Sequence, residues 1–282
     1  MIKIALPNKG ALAEEAARLM TEAGYNCRRY ARELWVYDKD QEIDFVFLRP
    51  RDIAVYVDRG ILDLGITGRD LVMEADVRVT EVLTLGFGRA KFCYAVLEAS
   101  PLTPDQFSGL RIATSFPHLV RSDLAGRNIQ ADIIHLEGAV EISINLGVAD
   151  VVADVVETGR TLKEAGLAVV GPPLLHSEAV AITAQRKAEL PPQLAVCIKR
   201  LRGVVAARDF VMVEYDAPED LLEKACVITP GIESPTISPL SKKGWVAVKA
   251  MVKRKGVNNI MDQLSQLGAK GIIVTNIQAC RL

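Results

Sequence analysis

Between Glu141 and Thr161 the chain reads EISINLGVADVVADVVETGRT. Val151 to Val156 is a short apolar, β-branched run suited to a buried strand, and Glu157, Thr158, Gly159, Arg160 and Thr161 then open a helix expected through Leu162 to Ala165. A strand thus ends in a turn equipped for an anion. Thr158 and Thr161 offer hydroxyls, Gly159 lets backbone approach a ligand, and the free N–H groups of the new helix point at whatever sits there. That chemistry suits a phosphate monoester. The same strand, Thr-Gly turn and helix is also an ordinary connection, so the eight residues Asp154 to Thr161 leave both readings open.

Other residues that could join such a site also stand where strands end. Ile2 to Leu6 reads as a buried strand before the turn Pro7 to Gly10, and Leu12, Ala16, Leu19, Met20 and Ala23 recur at helical spacing until Gly24. In open α/β sheets ligands bind beyond the carboxyl ends of strands, which puts Lys9 and Gly10 at a mouth; a solvated turn lysine is the plain alternative. Arg49 follows the apolar strand Phe45 to Leu48, with Pro50 suited to the first position of a helix through Tyr56. Its alternative is a buried arginine paired with an acid. Asp63 to Leu71, DLGITGRDL, can be laid on Asp154 to Leu162 with Asp, Thr, Gly, Arg and Leu at identical spacing, which suggests two similar lobes, each with an anion-ready turn, and places Asp70 in the second such helix start. Glu141 is expected in the first turn of a helix after Gly138, where a carboxylate is often only a dipole partner.

The elements that would position these residues fall into three groups. Phe92 to Leu97, Leu110 to Thr114 and Ile133 to Leu136 are strand-like, and Phe116, Pro117 and His118 lead into a helix. Ala179 to Ala184 looks like a strand returning to the first lobe, and Leu194, Ile198, Leu201 and Val205 mark one face of a long helix after Pro191 and Pro192. This two-way crossing resembles a type II periplasmic-binding-protein fold. It gives a first lobe from residues 1–89 and 179–208 and a second from 90–178. Residues 209–282 have their own order: strand Phe210 to Tyr215, helix Pro218 to Val227, strands Thr236 to Leu240 and Trp245 to Val252, helix Val257 to Leu267, strand Gly271 to Ile277. This βαββαβ series is the ferredoxin-like split unit, with Ile260, Met261, Leu264 and Leu267 facing the sheet.

Composition narrows the partners. With 34 Lys+Arg against 35 Asp+Glu the net charge is near zero, which argues against a nucleic-acid surface or a polybasic membrane face. Any anion site must therefore be built locally. Five scattered cysteines without CxxC spacing suggest neither zinc nor a disulfide framework and read as reduced core thiols of a cytoplasmic protein. No apolar run approaches the roughly 18 residues of a membrane helix, and MIKIALPNKG lacks the apolar core of a signal peptide.

Position for position, Glu141, Gly147, Ala149, Val152, Asp154, Val155, Thr158, Gly159 and Thr161 resemble the signature of the ATP phosphoribosyltransferases. PNKG, FLRPRDIAVYV, GITGRDL and TPGIESPTISPL resemble that family's long form, so the likeness covers nearly all of the chain. It implies transfer of a phosphoribosyl group from phosphoribosyl pyrophosphate to N1 of ATP, with pyrophosphate released, as the first step of histidine biosynthesis. Asp154, Val155, Val156, Glu157, Thr158, Gly159, Arg160 and Thr161 would hold the 5-phosphate and ribose, with Gly10 beside them. Lys9, Arg49, Asp70, Glu141 and Asp154 would be the catalytic residues of the cleft. Mg2+ is implied by the substrates, with its protein ligands undetermined. The C-terminal unit would be a regulatory domain sensing L-histidine through Asp216, the turn Ile232, Glu233, Ser234, Pro235 and Thr236, and Gly271, in a homo-oligomer passing from dimer to hexamer. Taken without the resemblance, that unit could equally serve only to dimerise. At residue 116 some long-form relatives carry tyrosine beside the nucleotide, and phenylalanine here removes a phenol. The competing class is a two-lobed protein that binds or senses one small ligand without catalysis.

Overall fold

The computed structural model describes residues 1–30, 33–184 and 190–281. Residues 31, 32, 185–189 and 282, which fall within the spans expected for the first lobe and the C-terminal segment, lie outside the described residues. The chain starts with β1 (Ile2–Pro7), α1 (Ala11–Glu22), β2 (Trp35–Asp38), β3 (Ile43–Leu48), α2 (Pro50–Asp58), β4 (Leu64–Gly68), α3 (Arg69–Glu74) and β5 (Val79–Thr84). β1 lies between β3 and β4 and runs parallel to both. Ile4, Leu6, Phe45, Leu64 and Ile66 are buried there, because central parallel strands are covered on both faces and must be apolar throughout.

A crossing then leads to β6 (Ala90–Leu97), β7 (Arg111–Thr114), α4 (Pro117–Gly126), β8 (Asp132–His135), β9 (Val151–Val156), α5 (Arg160–Glu164) and β10 (Leu167–Ser177). β11 (Ala179–Ala184) brings the chain back, antiparallel to β4 and β5. The first sheet therefore has the order β2-β3-β1-β4-β11-β5 and the second β10-β6-β9-β7-β8. Two sheets joined by two crossings give the two-lobed, periplasmic-binding-protein-like core of type II. Phe92, Tyr94, Phe107 and Phe116 fill one face of the second sheet, with Tyr94 meeting Phe107 edge-on at 5.0 Å. Ala95, Ala113, Val140, Val152 and Leu162 close the other face.

Three strands, β2, β5 and β10, have no counterpart in the sequence reading, and one expected helix is absent. Glu141 lies not in an α-helix but in a single 3-10 turn, Val140–Ile142. Ala139 before it is left-handed (φ 50°), and the N–H groups of both Val148 and Ala149 return to the Ser143 carbonyl, which curls the segment into successive turns.

After α6 (Pro192–Arg208) come β12 (Phe210–Pro218), α7 (Leu222–Ile228), β13 (Thr236–Pro239), β14 (Trp245–Lys253), α8 (Val257–Leu267) and β15 (Lys270–Asn276). The antiparallel order β13-β14-β12-β15 is that of a ferredoxin-like βαββαβ domain. Val211, Val213, Tyr215, Val246, Val248 and Leu264 form its core, against which Val257, Ile260 and Leu267 also pack. Met261 is half-buried and lies outside that cluster. Contacts group Met1–Arg18 with Asn26–Leu194 as one compact unit, and Leu19–Tyr25 with Ala195–Leu282 as another. Both sheets of the two-lobed core belong to the first.

Candidate functional site

β9 carries its buried residues Val151, Val152 and Ala153 through the core and emerges at Asp154. Gly159 then adopts φ 75°, ψ 6° as the residue before α5, a left-handed turn that a side-chain-bearing residue would enter only with strain. Leu162 anchors the short helix in the apolar face beside Ala95 and Val152, while Thr158 and Thr161 stay exposed. The first N–H groups of α5 have no acceptor within the helix. Arg160 reaches along its own helix, its Nε donating to Glu164 at 2.7 Å.

Asp154 is half-buried, and its Oδ1 accepts the Val155 N–H at 2.8 Å. Burial pushes its carboxyl above the usual aspartate range; the Val155 amide opposes this, Glu141 and Asp70 add to it, and Arg51 counters it. Three charged groups drawn from both lobes thus act on Asp154. Asp70 and Arg51 come from helices that follow strands of the first sheet, and Glu141 and Asp154 belong to the second lobe.

Asp70 is held by a reciprocal pair of bonds. Its N–H donates to Ser177 Oγ at 3.1 Å, and Ser177 Oγ donates to Asp70 Oδ1 at 2.8 Å. A Cβ at Gly68 would strike that carboxylate, so the glycine of this TGR turn makes room for Asp70. The likeness to the second TGR turn goes no further. Gly68 has φ −80°, Thr67 is buried and donates to the Pro50 carbonyl at 2.7 Å, and Arg69 forms a two-pronged pair with Glu81 at 3.0 and 2.6 Å. These groups serve the fold, which overturns the expectation of one anion-ready turn in each lobe.

Lys9, Gly10 and Arg49 leave the ends of neighbouring strands, since Pro7 is paired with Leu48 and the Asn8 N–H reaches the Leu48 carbonyl at 2.8 Å. All three are exposed, and among the described residues neither cation forms an ion pair with an acid. Arg49 is the residue before α2, and Pro50 opens that helix. Arg51, which sequence reasoning passed over, crosses between the lobes: its Nη2 donates to the Ser115 carbonyl at 2.9 Å and its guanidinium lies 4.8 Å from the centre of the Phe116 ring. The signal available was its place in the same FLRPRD segment as Arg49. Ser177 carried no signal, because its strand was not foreseen.

The three histidines are apart from this group. His118 lies 3.7 Å from Asp76 and His135 3.9 Å from Glu137, while the His176 carbonyl accepts from Arg69. Among the described residues no three His, Cys, Asp or Glu side chains are placed to share a metal ion, and no helix is long and apolar enough to cross a membrane. Cys27, Cys93 and Cys197 are buried, and Cys226 and Cys280 are half-buried.

In the C-terminal domain Asp216 pairs with Lys270 across β12 and β15, and Gly271 (φ 59°) stands so that an added Cβ would lie 3.7 Å from Asp216 Oδ2. Asp216 and Gly271 are therefore neighbours. The turn Ile232 to Thr236 is on the other side of β14: Thr236 pairs with Lys249, which pairs with Glu214 of β12, a separation of about 10 Å at ordinary strand spacing.

Fold and site together define a two-lobed α/β protein with three carboxylates and Arg51 brought together between its lobes and a ferredoxin-like domain appended. The sequence model described as ATP phosphoribosyltransferase matches residues 49–203, and that described as HisG, C-terminal domain, matches residues 207–279. The chain is 58% identical over 283 residues to the ATP phosphoribosyltransferase of Salinibacter ruber and 52% identical over 282 residues to that of Salinispora tropica, each alignment covering 100% of both chains. A solved ATP phosphoribosyl transferase (HisG:HisZ) complex from Thermotoga maritima is 25% identical, with a TM-score of 0.65, covering 73% of this chain and 99% of that one. The chain belongs to the ATP phosphoribosyltransferase family, the pentosyl transferases that carry out the first step of histidine biosynthesis.

Proposed function

We propose that this chain joins N1 of ATP to C1 of phosphoribosyl pyrophosphate in the cleft between its two lobes, residues 1–89 with 179–208 and residues 90–178. The observation that carries this reading is the convergence of Asp70, Glu141, Asp154 and Arg51 beside the left-handed turn at Gly159. In the reaction the bond from C1 to the pyrophosphate oxygen breaks as the bond to N1 forms, and the electron pair leaves with pyrophosphate. Such a step needs alignment and charge neutralisation rather than a covalent side chain. The segment Asp154 to Thr161 holds the 5-phosphate and ribose, with the Thr158 and Thr161 hydroxyls and the amides of the turn as donors. Asp154 and Glu141 face the ribose hydroxyls and the positive charge that builds on the sugar ring. Lys9, Gly10, Arg49 and Asp70 form the first lobe's wall, where Lys9 and Arg49 supply charge for the polyphosphates.

The carboxylates also bear on Mg2+, on which the family generally depends. Burial, Glu141 and Asp70 raise the cost of ionising Asp154, with Arg51 as the counter-charge acting on it, so a divalent cation arriving on substrate phosphates fits beside Asp154 or Glu141. When bound it neutralises phosphate charge. The C-terminal domain, residues 209–282, is read as the regulatory part, with Asp216, Gly271 and the turn Ile232 to Thr236 as contacts for L-histidine, in a cytoplasmic homo-oligomer that shifts between dimer and hexamer.

The test is an ultraviolet assay of purified protein with ATP, phosphoribosyl pyrophosphate and Mg2+. Accumulation of an N1-substituted adenine product that requires both substrates is expected; binding of one ligand without turnover would favour the sensing class. Thr158→Ala and Thr161→Ala should each lose about 1.5 to 3 kcal/mol of interaction with phosphoribosyl pyrophosphate. Wild-type kinetics toward that substrate in both variants would reject the loop assignment.

A further inference from the structure

α3 follows a strand of the first lobe, yet three of its side chains are attached to the second. Asp70 at its start exchanges hydrogen bonds with Ser177 at the end of β10. Leu71 packs on the aromatic cluster of Phe92, Phe107 and Phe116. At its far end Glu74, half-buried, accepts the N–H groups of His118 on Oε1 at 3.1 Å and of Leu119 on Oε2 at 3.0 Å. Those are the orphan donors in the first turn of α4, so a carboxylate from one lobe caps a helix of the other. Arg51 fastens the segment that leads into that helix, through the carbonyl of Ser115 two residues before it.

A cap exists in most proteins to finish its own helix, and its carboxylate comes from nearby in sequence. Glu74 is 44 residues from His118, and the two crossings of the chain lie elsewhere, at residues 84–90 and 177–179. A hinge of two extended connections would leave the lobes free to swing. Ser177 stands at the second of these connections, so the grip of Glu74 on α4, at the other end of α3, is a further tie between the lobes away from both connections, and it fixes the angle between them. Asp70 is on that brace, and its charge is felt by Asp154 of the opposite wall.

We propose that Glu74 is a positioning residue for the transfer reaction: by capping α4 it sets the distance between the wall that carries Asp70 and the wall that carries Glu141 and Asp154. This rests on the cleft being the transfer site. Both oxygens of Glu74 accept, so glutamine keeps one bond and turns a donor toward the other N–H. Misplacement on the order of 1 Å between groups bound to opposite walls lowers turnover up to about a hundredfold. The cradle at Thr158 to Thr161 lies wholly on the second lobe and keeps its geometry.

For Glu74→Gln and Glu74→Ala in the full chain, kcat should fall about ten- to a hundredfold while KM for phosphoribosyl pyrophosphate changes less than about threefold, at a temperature well below Tm. Glu74→Asp, which keeps the charge at shorter reach, should recover part of kcat. Spin labels at Arg59→Cys and Ser122→Cys, exposed on opposite lobes, in a Cys226→Ser, Cys280→Ser background diluted with unlabelled chain, should show a broadened distance in the Gln variant. If Glu74→Ala does not fold, Glu74→Gln decides. A folded Glu74→Gln protein with wild-type kcat, or one with lowered kcat and an unaltered interlobe distance, overturns the proposal. Turnover by the wild-type chain in the same assay tests the transfer reading separately.

Discussion

Asp154 is ionised at a cost. Burial first, then the fields of Glu141 and Asp70, raise its pKa in the folded chain above that of a free aspartate, about 3.9. The native state therefore binds more protons than the unfolded state between those two values, and stability falls as pH rises through that window. Above it the full penalty persists at neutral pH. Asp154→Asn removes the penalty, so Tm at pH 7.5 should rise by a few degrees, and the advantage should shrink as pH drops toward the ordinary aspartate range. Turnover should nevertheless fall by a hundredfold or more, because a neutral amide no longer meets the charge that develops on the ribose. Calorimetry at pH 7.5 and pH 5, with kinetics at pH 7.5, checks both signs. A variant that is both less stable at neutral pH and fully active would mean that Asp154 is an ordinary structural carboxylate.

At the level of elements, the strands that sequence reasoning missed share a position. β1, β3, β4, β6, β7 and β9 are internal to their sheets, and their apolar runs are the direct result of burial on both faces. β2, β5 and β10 are all edge strands. β5 alternates too weakly to be seen, with Val79, Val82 and Leu83 only half-buried. β10 contains Gly171, Pro172 and Pro173, which read as a turn; the ladder to β6 in fact skips from Val170 to Leu175, and the prolines, having no N–H to give, occupy the interruption. The same partial vision applied to the site. Thr158 to Thr161 and Asp154 could be read because loop chemistry is local, whereas Ser177, Arg51 and Glu74 act through contacts 64 or 107 residues away, or 44 in the case of Glu74.

The TGR turn at Gly68 shows how a local motif can mislead. Its glycine has an ordinary negative φ, and what excludes a side chain is the carboxylate of Asp70 two residues on. Gly68→Ala should push that carboxylate off Ser177. The expected result is a loss of kcat of about ten- to a hundredfold, with a stability cost of roughly 1 to 3 kcal/mol typical of a forced steric shift. Comparing kcat and Tm for Gly68→Ala with those for Ser177→Ala tests the chain of contacts. If Gly68→Ala leaves both quantities at the wild-type level, the space around Asp70 is not limiting.

On the scale of the whole molecule, two compact units are present; the four-stranded domain after α6 was legible from its alternation of strands and helices, whereas the grouping of Leu19–Tyr25 and most of α6 with it was not. Each of its elements is local in sequence, and strand order follows once a βαββαβ series must close a single four-stranded sheet. What could not be read was the separation inside it. Asp216 and Gly271 sit together, while Ile232 to Thr236 lie across β14. An amino acid bound at Asp216 would offer its ammonium or imidazolium to the carboxylate and rest against Gly271, where a Cβ would take up part of the space. Feedback then requires that the ligand bind one assembly better than another, because equal affinity shifts nothing. Asp216→Ala should leave turnover without histidine unchanged, since the residue is in the second unit, and should weaken inhibition by L-histidine at least tenfold, as expected when a charge-assisted contact worth about 1.5 to 3 kcal/mol is lost. Sedimentation velocity with and without L-histidine reads the assembly directly. The wild type should shift toward the larger species as histidine is added, and Asp216→Ala should need correspondingly more. If Asp216→Ala retains wild-type inhibition and the same shift, histidine acts elsewhere, and the carboxylate beside Gly271 serves only the sheet.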